Sequence, residues 1–355
     1  MYNSQRSSTA VLWLCLVWAS IAGGNSSLLA QDSLILPTEN HFDHLKQLTF
    51  GGENAEAYFS SHDDRLIFQS TRDSLKCDQI FAMDLSGGSL RMLSTGKGRT
   101  TCAYYLPGDS TFIYSSTHGA DSSCPPKPDY SKGYIWAVYK SYDIYLGGSD
   151  GTIRRRLTAT DGYDAEATVA PTGNRIVFTS ARDGDLNLYS MRLDGSDVRQ
   201  LTDETGYDGG AFYSGDGKQI VYRAYHPKDQ KELEDYKQLL GNGFVRPTQM
   251  DLFVMNADGS EKRRITTIGA ASFAPYFHPD GKRIIFASNM KDPKGRNFDL
   301  FLIDTDGKNL EQITYNDTFD GFPMFTRDGK KLVFASNRNA KVRGETNIFI
   351  ADWKP

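Results

Sequence analysis

Long apolar runs are nearly missing from the 355 residues: the one near the N-terminus, Ala10 to Ala22, is shorter than the roughly 18–20 residues a spanning helix needs. A multi-span membrane protein is therefore excluded. Cysteine is scarce, four in all, which excludes a disulfide-built scaffold. A basic excess is also missing. Lys and Arg number 40 against 44 Asp and Glu, a formal charge of −4, so little is available to neutralise phosphates and no nucleic-acid partner is expected. Familiar catalytic signatures are lacking too: there is no Gly-x-Ser-x-Gly elbow, His-Glu-x-x-His, Walker loop or Rossmann glycine pattern. Asp183-Gly-Asp185 and Asp317-Thr-Phe-Asp320-Gly321 fall short of a calcium loop. What is present is ordinary globular composition, with 39% apolar and 24% charged residues and a mean hydropathy of −0.49. Long helical patterns are few while Gly, Tyr and Phe abound, which points to an all-β chain.

Arg6, the apolar run and the small residues ending at Leu28-Leu29-Ala30 have the form of a secretory signal over residues 1–30. An uncleaved anchor is the other reading of the same run. Cys15 follows Leu14, where lipidation would want a small residue. Removal of residues 1–30 takes away Arg6 and leaves 39 basic against 44 acidic residues, a charge of −5. The expected location is periplasmic or extracellular, with no membrane span after cleavage. Cys77, Cys102 and Cys124 then remain, enough for one bridge and a free thiol; their spacings lack a CxxC knuckle, so structural roles are expected ahead of metal binding.

Past a linker over residues 31–43, a repeat governs the chain. Six apolar strands end in aromatic anchors: Phe68, Tyr114, Phe178, Tyr222, Phe286 and Phe334. A second set of anchors follows at Phe81, Tyr145, Tyr189, Phe253, Phe301 and Phe349, and a third at Leu93, Leu157, Leu201, Ile265 and Ile313, each with Thr or Ser next. The second anchor precedes the third by 12 residues in every complete unit, and the third precedes the next unit's first by 21. A further short strand leads each unit, and Asp-Gly turns such as Pro279-Asp-Gly-Lys and Asp258-Gly-Ser separate the strands. We read these turns as type I′ hairpins. Each unit is then a four-stranded antiparallel meander with strands a to d, and six such units make an all-β six-bladed β-propeller over residues 44–355. The last unit has no room for strand d after Phe349. Leu48, followed by Thr49, lies 20 residues before Phe68, so an N-terminal strand is expected to complete the last blade and close the ring.

The Pro/Asp-Gly-Lys turns, Phe-x-Ser-x-Arg strand ends and terminal Leu/Ile-Thr pairs resemble the WD-type propeller repeats of TolB, across essentially the whole of residues 44–355. TolB carries an additional α/β domain ahead of its propeller, and only a short segment precedes the first strand here. Similar propellers form the non-catalytic half of some exported peptidases, and one relative is a metal-dependent oligogalacturonate lyase. The resemblance implies a binding or scaffold module at the cell envelope; the alternatives are a metal-dependent lyase or hydrolase on an extracellular polysaccharide, or a propeller gating a separate peptidase.

Candidate site residues come from the face carrying the b–c and d–a loops. First and second anchors lie 31 residues apart in units two and four against 11–15 elsewhere, which marks insertions at about residues 119–140 and 227–249. The second contains a helical stretch, Lys231–Leu240, stopped by Gly241 and Gly243. Both insertions suit either lids around a mouth or packing caps. Four residues after each first anchor stand Arg72, His118, Arg182, His226, Met290 and Arg338; acidic residues in the d–a frame are Asp164, Asp208 and Asp320, with Glu56 and Glu166 two positions on. Ion pairs between neighbouring blades are the structural expectation for these charges. The functional one is a polar mouth in which Arg72, His118, Asp164, Glu166, Arg182, Asp208, His226, Asp320 and Arg338 bind a protein or peptide. A metal version would join His118 and His226 with Asp164 or Glu166. No catalytic residue, resident metal or cofactor is assigned, and a monomer is expected.

Overall fold

The computed structural model describes residues 34–355 except 293, 294 and 296, together with the backbone but not the side chain of Lys132. The expected signal over residues 1–30 lies outside the described residues. Six four-stranded antiparallel sheets follow one another as blades 1 to 6, with first strands at Glu53–Phe59, Thr100–Tyr105, Asp164–Val169, Tyr207–Tyr213, Ser272–Phe277 and Asp320–Phe325. Strand b is buried on both faces, as in Leu66-Ile67-Phe68, because each sheet packs against a neighbour on either side. First and second anchors lie directly opposite each other in every blade, from Phe68 and Phe81 to Phe334 and Phe349.

The Leu/Ile-Thr/Ser signature has a chemical purpose. In each blade the hydroxyl of its second residue accepts a hydrogen bond from a strand-c amide at 2.8–2.9 Å: Ser94 from Ile80, Thr158 from Ile144, Thr202 from Leu188, Thr266 from Leu252 and Thr314 from Leu300. The sixth clip closes the ring. Strand Phe42–Gln47 pairs antiparallel with Asn347–Trp353, and Thr49 accepts from the amide of Ile348 at 2.9 Å. The N-terminal strand thus fills the place of strand d in blade 6, and starts two residues ahead of the expected propeller boundary.

The a–b turns differ from the expected type I′ form. Gly173, Gly217, Gly281 and Gly329 have φ of 67–70°, but the residue before each is not left-handed. Instead Asp216, Asp280 and Asp328 accept a hydrogen bond from the amide two residues on, an Asx turn that needs only the glycine to take positive φ.

The two insertions meet. Trp136–Ala137 from blade 2 pairs with Phe244–Val245 from blade 4 in a two-stranded sheet spanning blade 3. The expected helix forms at Gln230–Gly241, capped by Asp229 accepting from the Glu232 amide, and buries Tyr236 and Leu239. Cys77 and Cys124 form a disulfide that ties the blade 2 insertion to the b–c loop of blade 1, leaving Cys102 free. Because the bridge spans 47 residues of sequence, a Cys77→Ser/Cys124→Ser variant should lose about 2–4 kcal/mol of unfolding free energy in urea melts. An unchanged midpoint would mean that packing alone holds the insertion.

Candidate functional site

The residues four beyond the first anchors fold back onto their own blades. Arg182 donates to Asp164 at 3.1 Å and to Ser180 at 2.8 Å, with its guanidinium 4.8 Å from the Tyr189 ring centroid. Arg338 repeats this with Asp320 at 2.9 Å and Ser336 at 3.1 Å, and also holds Glu39 of the N-terminal segment through both terminal nitrogens. His226 pairs with Asp208 at 2.9 Å. The expected ion pairs between blades are corrected for the three aspartates, whose pairs lie within blades, and hold for Glu166, which pairs with Arg223 of blade 4. The aspartate opens strand a, beside the end of strand b in the sheet register, and its basic partner stands two residues further on, so the two are neighbours by construction. Arg72 lies over the Phe81 ring, and His118 hydrogen-bonds Ser116 and lies against Tyr145 at 4.2 Å between centroids. The nine residues therefore do not converge on one mouth, and eight of them belong to these folded-back positions. His118 and His226 take separate partners, and among the described residues no group of three or more His, Cys, Asp or Glu is arranged to hold a metal.

Glu166 is the ninth, and it points into the central channel. Every strand a carries a bulge whose residue takes positive φ: Glu56, Cys102, Glu166, Gly210, Ala274 and Phe322, at 50–59°. These six form a ring around the axis. A Cβ on Gly210 would stand 1.7 Å from Nη1 of Arg223, so the missing side chain is what lets Arg223 reach in from strand b of blade 4. Arg223 donates to Glu166 at 2.9 Å and to the Tyr207 hydroxyl at 2.6 Å, while the amide of Gly210 and the hydroxyls of Tyr163 and Thr179 also donate to Glu166. This buried ion pair is fully hydrogen-bonded at the carboxylate, the condition under which such a pair is tolerated. Burial pushes Glu56 up to about 7, with Cys102 hydrogen-bonded to it, and burial likewise drives the Cys102 thiol well above its ordinary value.

The two ends of the channel differ. At the loop-bearing end, Trp136 from the paired insertions stacks on Arg223 at 5.3 Å and meets Phe273 of blade 5, so the insertions bridge that opening. Deeper, Tyr58, Tyr104, Phe212 and Tyr276 touch across the axis at 5.4–6.2 Å. Above these rings, on the face of the a–b hairpins, a funnel of about 350 Å³ opens to solvent. The candidate residues read from the sequence come from the opposite face, which carries the b–c and d–a loops. The funnel's rim comes from one equivalent position in each a–b turn: Ser61, Pro107, Pro171, Gly215, Pro279 and Arg327.

Residues 244–354 match the family model of the TolB beta-propeller domain. The fold is that of a TolB-like six-bladed β-propeller. Among solved structures, TolB from Acinetobacter baumannii is similar at 18% identity and a TM-score of 0.53, over 72% of this chain and 53% of that one. The chain thus spans about half the length of that TolB. A putative TolB from Agrobacterium tumefaciens matches at 18% identity and 0.56, over 85% and 90%. An oligogalacturonate lyase in complex with manganese matches at 15% and 0.52, over 90% and 94%. At these identities the likeness is one of fold. No curated protein matches the chain in sequence.

Arg223, Tyr163 and Tyr207 are not among the candidates read from the sequence. The available signal was a charged residue directly after the apolar run Ile220-Val221-Tyr222, together with Gly210 where every other strand a carries a side chain. Glu56 has a measurable consequence. Its folded value of about 7 exceeds the ordinary 4.5, so between those pH values the folded protein keeps a proton that the unfolded chain releases. Stability should therefore fall as pH rises through that window, by at most about 3 kcal/mol. Asp299, also raised to about 7 by burial and by nearby Asp320, acts in the same direction. Urea midpoints at pH 5 and pH 8 should drop less in Glu56→Gln than in wild type; equal drops would place Glu56 in water.

Proposed function

We propose that this TolB-like propeller is an exported, non-enzymatic binding module that takes a protein segment in the funnel on its hairpin face. Residues 1–30 act as the export signal and 31–41 as the segment leading into the closing strand in this reading. The funnel itself carries the argument. A cavity of about 350 Å³ suits one or two inserted side chains, and its floor of Tyr104, Phe212, Tyr276 and Met324 offers apolar area already ordered by packing. Five of the six rim positions are uncharged, and the charged groups of the funnel are Arg327 and Asp63, which accepts from the Arg327 amide at 2.9 Å, so a docking segment would meet little unpaired charge. The paired insertions leave the opposite end bridged, which favours the hairpin face over the loop face as the mouth.

The test is crosslinked capture from the protein's own cell envelope, comparing wild type with Gly215→Trp/Arg327→Glu. A Cβ on Gly215 meets nothing within 4 Å, so the tryptophan can stand over the funnel without backbone strain. A partner captured by wild type and reduced at least tenfold by the variant, at unchanged Tm, is the expected result. Capture that survives the variant would remove the funnel as the mouth, and no specific partner at all would sink the binding-module reading.

A further inference from the structure

Blades 3, 4 and 6 share an aspartate at the start of strand a, and blade 4 differs from the other two in the residue set against it. In blades 3 and 6 an arginine guanidinium lies over the strand-c ring, Tyr189 or Phe349, while bonded to the aspartate that opens strand a. Blade 4 keeps the aspartate, Asp208, and the ring, Phe253, but has His226 in the arginine's position. Imidazole is several atoms shorter. It reaches Asp208 and stands edge-on to Phe253 at 5.3 Å without covering it. The other five strand-c rings are buried, none more than 7% exposed, whereas Phe253 is only partly buried.

A cavity of about 310 Å³ lies against that uncovered ring, on the face opposite the funnel. Its walls are charged. Glu204, mostly exposed, stands 3.4 Å from Nδ1 of His226, and Asp251 is ion-paired with Arg264 across the cavity. Lys228 is at the edge. Three carboxylates, Glu204, Asp208 and Asp251, face Arg264, Lys228 and the imidazole of His226; Asp208 and Asp251 are closely paired, and Glu204 is the mostly exposed one. An uncovered aromatic face beside a mostly exposed carboxylate is the combination that binds a guanidinium, by stacking and by hydrogen bonds.

We propose that this cavity is a receptor for a guanidinium group, the side chain of an arginine on a partner protein, which would lie over Phe253 as Arg182 and Arg338 lie over their own rings. This site is separate from the funnel, and its loss would leave the funnel reading untouched.

The experiment is calorimetric titration of the protein with Nα-acetylarginine methylamide, with the lysine and leucine analogues as comparisons. Wild type should bind the arginine compound saturably in the low millimolar range, the lysine compound more weakly because a compact ammonium does not stack by a planar face, and the leucine compound not at all. Glu204→Gln should weaken arginine binding about two- to fivefold, the scale of one exposed ion pair. His226→Arg supplies the chain's own guanidinium, so it should abolish binding while Tm holds or rises. Gly215→Trp should bind as wild type does. Absence of saturable binding, equal binding of the leucine compound, or wild-type affinity in His226→Arg would each overturn the proposal.

Discussion

A single hydrogen bond, repeated six times, ties every outer strand of this propeller to its blade: a Thr or Ser hydroxyl accepting from a strand-c amide. Outer strands are short, mostly two residues, and backbone pairing alone would leave them frayed. The clip adds a side-chain acceptor just beyond the last ladder bond, and the preceding Leu or Ile is buried in the same step in every blade but the second, where Leu157 is half-buried. In blade 6 the same clip comes from Thr49. The ring therefore closes with the chemistry that finishes each blade, and no separate device is needed for the seam.

Inside the ring, six equivalent bulges aim six different residues at the axis, and their differences set the character of the channel. Glutamate at two positions and glycine at a third allow one buried ion pair, Glu166 with Arg223, to be assembled from blades 3 and 4. The pair is then roofed by Trp136 from a different blade's insertion. Charge, space and cover come from three separate parts of the chain, so the loop-bearing end is consolidated while the hairpin end keeps its opening.

The blades were legible because periodicity is read six times over; a register error in one unit would have conflicted with five others. Phe68 opposite Phe81 and Leu48 in the seam follow from spacing alone. Side chains past strand ends were harder. Arg182 and Arg338 were recognised as a repeating position, but their direction depends on a ring and a hydroxyl supplied by the same blade, and linear spacing does not say to which blade a side chain turns. Trp136 and Val245 are more than 100 residues apart, and no local pattern announces that two insertions will pair. Arg223 sat within an apolar strand, where its meaning lay in the two glycines of the strand beside it.

The closing seam also has a consequence in time. Phe42 and Trp353 are partners in one sheet, so the first strand of the propeller to be synthesised waits for its last. Blades 1 to 5 can form from contiguous chain, at low loop-closure cost, but the ring remains an open arc with two unpaired edges until Asn347–Trp353 has been made. Folding of this protein is therefore controlled by its most distant contact, and the interval before closure is when its edges are open to proteases and to other chains.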